Sequence, residues 1–190
     1  MTVKLQKKIT LAFIVTTILF LTNITSAQKN VFVFVHGNYL GALDESSKNT
    51  YSNGLGGEIG GAIGNGKTYF TGTIGYTQFS AKSGNRFGYD NQSFVPVKIG
   101  IRQNLPFLLN MIYLHADGGL GFVNNKASIP AVDSLSKSRL AFDIGAGVKL
   151  GNIDLGIVWD SFKEVKPGGW SSWLGVKFGY RFDVIGSSKK

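Results

Sequence analysis

Leu140-Ala141-Phe142-Asp143-Ile144-Gly145-Ala146-Gly147-Val148-Lys149-Leu150 decides the reading of this chain. Every even position is apolar, while the odd positions carry Ala141, Gly145, Gly147 and the charged Asp143 and Lys149. A period of two is the signature of a strand with two unlike faces. Gly151-Asn152 then supplies a two-residue turn of types that accept positive φ, and the alternation resumes with Ile153, Leu155, Ile157 and Trp159 against Asp154 and Asp160. A soluble barrel would hide the apolar face and wet the charged one. Here the charged face is rich in Gly and too narrow for an ordinary outer surface, which inverts the assignment: apolar outward into lipid, small and charged inward.

The same alternation extends to both sides of this hairpin. Strand one covers 31–42, with 31–35 apolar on both faces and therefore open in register. Strand two, 55–63, sets Leu55, Ile59 and Ile63 against Gly56, Glu58, Gly60 and Ala62, and Asn65-Gly66 is a strong hairpin signal. Strand three, 67–80, sets Phe70, Ile74 and Tyr76 against Thr71, Thr73, Gly75 and Thr77. In strand four Val95, Val97, Ile99 and Ile101 alternate with Pro96, Lys98, Gly100 and Arg102, and Pro96 predicts a bulge or irregular pairing because it lacks a ladder donor. Strand five places Ile112, Leu114, Ala116, Leu120 and Phe122 opposite Tyr113, His115, Asp117, Gly119 and Gly121. Strands six and seven are the hairpin at 139–162, and strand eight, 172–182, turns Leu174, Val176, Phe178, Tyr180 and Phe182 outward and Trp173, Gly175, Lys177 and Arg181 inward.

The connections alternate in length. Those after strands two, four and six are short (65–66, 103–110, 151–152), and the others are mostly long and polar (44–53, 81–92, 124–137, 164–170). Short periplasmic turns and longer outer loops are the rule for barrels, which puts both ends of the barrel chain on the periplasmic side. The expectation is an all-β chain: an eight-stranded antiparallel up-and-down transmembrane β-barrel over 28–182, with a signal peptide at 1–27 and a short periplasmic tail at 183–190.

Composition agrees. Lys4, Lys7 and Lys8 precede an apolar run over 9–21 and small residues at Thr25 and Ala27, the pattern of a secretory signal cleaved after Ala27. A retained membrane anchor is the alternative. Cleavage would lower Lys plus Arg from 20 to 17 against 11 Asp plus Glu, taking the net charge from +9 to +6. This scattered excess suits anionic lipid head groups better than nucleic acid, which needs a basic stripe. All 26 Gly lie beyond residue 27, where no apolar run has the length of a spanning helix. Without Cys and with only His36 and His115, no metal or cofactor is assigned.

The segment Gly175-Val176-Lys177-Phe178-Gly179-Tyr180-Arg181-Phe182 is similar to the aromatic assembly signal of the small eight-stranded outer-membrane barrels, such as the OmpA transmembrane domain and OmpX. The whole of 28–182 resembles that family. The resemblance implies a Gram-negative outer-membrane location, an environment of outer-membrane lipid and lipopolysaccharide, and insertion by the barrel assembly machinery through Phe178, Tyr180 and Phe182. In the family this signal usually ends the chain, whereas here eight residues follow. Such barrels share architecture more than function.

Three constellations bear on chemistry. Residues 61–68 satisfy the Walker A pattern, but a phosphate cradle needs a helix after it, and Tyr69-Phe70-Thr71 continues as a strand. His115 and Asp117 lie two apart on one strand and share its inner face, yet no Ser is fixed beside them, so a lumen hydrogen-bond network is the simpler reading. The third is a lumen charge network of Glu58, Lys98, Arg102, His115, Asp117, Arg139, Asp143, Lys149, Asp154, Asp160, Lys177 and Arg181. A turn at Gly151-Asn152 faces Lys149 with Asp154, Asp143 with Asp160 and Arg139 with Glu164. Asp143 opposite Asp160 needs a proton or a cation, for which Lys177, Lys98 and Arg102 are the candidates.

Eight strands leave room for little but side chains inside, and Trp173, Tyr113, Arg102, Arg139 and Arg181 are bulky. The expectation is a non-enzymatic barrel with a packed, salt-bridged lumen, acting in envelope structure or surface contact through its outer loops. The aromatics Phe70, Tyr76, Phe94, Phe122, Phe142, Trp159, Tyr180 and Phe182 are expected to face lipid. The alternatives are a narrow pore for ions or small solutes, a lipid A modifying enzyme, and a soluble periplasmic barrel with the Leu140 face turned inward.

Overall fold

Alternation along the chain closes into a barrel. The computed structural model describes residues 30–83, 89–106, 110–127, 135–163 and 169–185. Eight strands follow one another around a closed, wholly antiparallel up-and-down barrel. They are β1 (Asn30–Ala42), β2 (Tyr51–Gly64), β3 (Thr68–Ala81), β4 (Tyr89–Asn104), β5 (Ile112–Ala127), β6 (Leu135–Leu150), β7 (Ile153–Lys163) and β8 (Trp170–Ile185), with one short helix, α1 (Glu45–Thr50), between β1 and β2. The expected signal segment, Glu164 and the centres of the connections at 81–92 and 124–137 lie outside the described residues.

The apolar positions face outward. In β4, Ile99 is 75% exposed and the adjacent Lys98 only 2%; in β6, Leu140 is 59% exposed and Asp143 1%. An inward Leu140 face, which a soluble barrel requires, is therefore excluded. β1 resolves its own ambiguity by turning Phe32 and Phe34 into the lumen and Val33 and Val35 out.

Several expectations are corrected. Phe94 is buried in the lumen, because it shares the even phase of Pro96 and Lys98 rather than the odd phase of Val95. At Pro96 the expected irregular pairing is found, without a bulge: the ladder to β3 is interrupted opposite it and resumes at Thr77↔Phe94 in unchanged register, while pairing to β5 runs through Pro96↔Gly121. The first hairpin turns one residue later than Asn65-Gly66. Asn65 N–H donates to the Thr68 carbonyl at 3.1 Å, leaving Gly66 and Lys67 as the central pair, with Gly66 at φ +88° as a turn with a positive first central φ requires. β8 runs past Phe182, with Asp183 paired to Phe32 and Ile185 to Val31 across a register shift.

The polar stretch at 44–53 is also more ordered than a loop. Asp44 caps α1 by accepting from Ser47 N–H at 2.8 Å, the usual role of Asp at a helix start. Its other oxygen accepts from Ser172 N–H at 2.7 Å, so one side chain starts the helix and pins it to β8. Strand β2 begins at Tyr51, whose side chain is buried in the lumen.

Candidate functional site

The lumen is stacked in three layers. At the end where the longer connections lie, Trp173 packs on Phe79 with ring centroids 4.1 Å apart and Phe94 stacks on Phe162 at 4.5 Å. Tyr51, Leu40, Val123 and Val158 complete this plug, in which Trp173 is fully buried. At the opposite end, near the tight turns, Phe32, Phe34 and Tyr69 form a second apolar layer. The Arg102 guanidinium lies 3.6 Å from the Tyr113 ring centre, and that of Arg181 lies 5.0 Å from Phe32.

Charges occupy the space between. Asp117, Asp143 and Asp160 are register partners across β5, β6 and β7, which lines three carboxylates in one row around the wall. Lys98 reaches this row from β4, bonding Asp143 and standing 3.8 Å from Asp160, while Lys177 is 3.8 Å from Asp143. Lys177 also bonds both oxygens of Glu58 at 3.0 and 3.1 Å, and Arg102 forks onto both oxygens of Asp154 at 2.6 and 3.1 Å. Such bidentate, charge-assisted bonds are among the strongest a protein makes. Thr71 donates to Asp117 at 2.5 Å, and His115 Nε2 lies 3.2 Å from Asp143.

The Gly-rich inner wall follows from this packing. Phe34 lies across Gly60, His36 across Gly179, Tyr113 across Gly147, His115 across Gly145 and Asp117 across Gly100, each pair in register on adjacent strands. A methyl group on any of these glycines would run into the side chain opposite.

Comparison with solved structures finds the same architecture. Ail, the attachment invasion locus protein of Yersinia pestis, matches with TM-score 0.53 and 16% identity, covering 82% of this chain and 99% of that one. The N-terminal β-barrel domain of Pseudomonas aeruginosa OprF matches with TM-score 0.54 and 12% identity over 80% of this chain and 100% of that one. Neisserial surface protein A gives 0.51 and 13% over 80% and 97%. This is the fold of the small eight-stranded outer-membrane barrels. No family model matches the chain, and no curated sequence matches it.

Within that barrel fold the predicted charges separate into groups. Glu58, Lys98, Arg102, His115, Asp117, Asp143, Asp154, Asp160 and Lys177 converge on the middle layer. Lys149 pairs with Asp154 in register, but the Asp154 carboxylate is taken by Arg102 and approached by His36 at 3.6 Å. Arg181 sits at the turn end, bonded to Asp183 at 3.1 Å and donating to the Gly151 carbonyl at 3.3 Å. Arg139 is half-buried towards the longer connections, and its sequence-predicted partner Glu164 is not among the described residues. Phe178, Tyr180 and Phe182 all stand on the outer face of β8.

Sequence reasoning sets His36 aside and passes over Phe79 and Phe162. His36 is buried, 3.0 Å from Glu58 through Nδ1, and links that carboxylate to Asp154. The even phase of β1 carries it inward with Phe34, a signal hidden by the apolar residues on both faces of 31–35. The Walker A segment is the β2–β3 hairpin, followed by a strand.

Proposed function

We propose that this chain is an integral protein of the bacterial outer membrane, exported behind residues 1–27, whose sealed barrel is a rigid non-enzymatic scaffold for its surface-facing connections. The apolar outer belt supports immersion in lipid. The observation that carries the scaffold reading is the Trp173–Phe79 and Phe94–Phe162 plug above a layer of buried, bridged charge. Water has to pass both to make a pore. Insertion through the assembly machinery, with Phe178, Tyr180 and Phe182 as the signal, belongs to the same reading, as do lipopolysaccharide neighbours and a surface ligand at the longer connections.

The lipid A enzyme is disfavoured because His115 and Asp117 point into the middle of the lumen, beneath the plug and away from any lipid. Asp117 is already engaged by Thr71.

Single-channel recording in a planar bilayer tests the proposal. The refolded mature chain is expected to be silent, and the double variant Trp173→Ala, Phe79→Ala is expected to conduct. Steady current through the unaltered barrel would replace the scaffold by a narrow pore and make Lys98, Arg102 and Lys177 its selectivity residues.

A further inference from the structure

The middle layer holds more carboxylates than permanent cations. Glu58, Asp117, Asp143, Asp154 and Asp160 are five carboxylates against the three permanent cations Lys98, Arg102 and Lys177 that contact them. Like charges side by side on adjacent strands are destabilising, and the Asp117–Asp143–Asp160 row repeats that arrangement twice. Lys98 stands against the Asp143 and Asp160 side of the row. At the Asp117 and Asp143 side the neighbour is an imidazole.

There the ligand atoms of His115, Asp117 and Asp143 all lie within 4.8 Å of one another. Lys98 takes Asp143 Oδ2, leaving Oδ1 turned towards His115 Nε2 at 3.2 Å. The two atoms stand at ion-pair distance, yet neither Oδ1 nor Nε2 meets hydrogen-bond geometry, although the Asp143 side chain is 1% exposed and that of His115 10%. Two buried polar atoms this close and outside hydrogen-bond geometry are placed as neighbouring ligands of a third atom. Ligands about 2.1 Å from a metal ion stand about 3.0 to 3.4 Å from one another, which is the separation of His115 Nε2 from Asp143 Oδ1. An Asp117 oxygen lies within 4.8 Å of both. Gly145 leaves the space into which His115 folds and Gly100 that for Asp117, so both ligands lie flat against the wall.

We propose that His115, Asp117 and Asp143 bind one divalent transition cation inside the barrel. One imidazole nitrogen and two carboxylate oxygens suit zinc and its borderline neighbours rather than calcium, which prefers six or more oxygens. With both imidazoles neutral, its two charges balance the five carboxylates against the three permanent cations. Because the plug closes the lumen on one side and the Phe32–Tyr69 layer on the other, the ion enters while the barrel folds and serves to hold β5 and β6 together.

The test is to refold the untagged mature chain with zinc, remove free metal, and measure bound zinc together with the urea midpoint of unfolding. Cobalt in place of zinc reads the ligand set from its visible absorption. One ion per folded barrel is expected, with a raised midpoint. His115→Gln and Asp117→Asn are each expected to weaken uptake by about 100-fold or more, beyond what loss of a supporting group does. His36→Asn, which changes the other lumen imidazole, is expected to keep the ion. A gel mobility shift that heating abolishes identifies the variants that fold, and either ligand variant suffices. Absence of zinc and cobalt from the folded parent, uptake retained by a folded ligand variant, or equal loss in His36→Asn would each overturn the site.

Discussion

Ile99 and Lys98 are neighbours in β4, yet one belongs to a surface and the other to a lock. On the outside, apolar side chains project into a medium that rearranges around any shape, and glycines such as Gly72 and Gly118 have nothing within 4 Å of the place a side chain would start. Inside, Phe34, Tyr113, His115 and Asp117 each have a glycine opposite, and Lys98 and Lys177 each bond a carboxylate. The same strand obeys a loose rule on odd positions and a strict one on even positions. Lipid is as apolar as leucine and fills gaps, so the outer face needs only hydrophobicity. The lumen is a protein interior, where volume and charge both have to match.

The sharpest way to break this comparison is to change both neighbours in β4. Lys98→Met leaves Asp143 facing Asp160 without the ammonium between them, and removing one member of a buried charge cluster typically costs about 3 to 5 kcal/mol. Ile99→Ala removes a larger apolar area but exposes only lipid contacts, and a much smaller loss is expected. Urea unfolding of both variants in lipid vesicles measures the two on one scale. Acidification, which discharges carboxylates, should shrink the Lys98→Met loss and leave that of Ile99→Ala alone. Equal losses at neutral pH would mean that the lumen charges contribute no more than the belt.

A second comparison keeps the substitution constant and changes only the face. A methyl at Gly100 meets the Asp117 carboxylate together with the Ala116 carbonyl and the Asp117 Cα, and backbone cannot swing aside. Gly100→Ala is expected to cost about 1 to 3 kcal/mol, the range for overfilling a packed interior. Gly72→Ala meets nothing, and the reduced freedom of the unfolded chain makes it neutral or stabilising by about 0.4 to 1 kcal/mol. The same unfolding assay decides. A loss at Gly72 similar to that at Gly100 would show that strand glycines here serve the backbone rather than the side chains opposite.

These two rules also explain what is legible in the sequence. Alternation in 140–150 and 172–182 carries the inside and the outside directly, and a turn at Gly151-Asn152 is enough to place Asp143 against Asp160, as found. Contacts across the lumen are not available in that way. Lys98 meets Asp143 from two strands away, a consequence of strand tilt and closure that no local pattern encodes. The sequence offers it only as one of three candidates. Phe94 is misplaced when its aromatic type is weighed above its phase, and α1 is missed when a polar run is taken for a loop although Asp44 supplies a helix cap. The approach of His115 to Asp143 depends on where Gly145 lies, which is a fact of register.

The turn between β6 and β7 belongs to neither face, and so isolates a third and smaller effect. Gly151 has φ +62° and nothing within 4 Å of the point where a methyl group would sit, so neither crowding nor lost pairing enters. Any cost of Gly151→Ala comes from the left-handed backbone alone, about 1 kcal/mol. Asn tolerates that conformation far better than Ala, since its short side chain bonds locally, so Gly151→Asn should recover most of the loss. At Gly100 the order reverses, because there the larger Asn overfills the lumen more than Ala does. Measuring the four variants in one series separates a backbone requirement from a spatial one. If Ala and Asn behave alike at Gly151, positive φ is not what that glycine provides, and the hairpin register must be held by the strands instead.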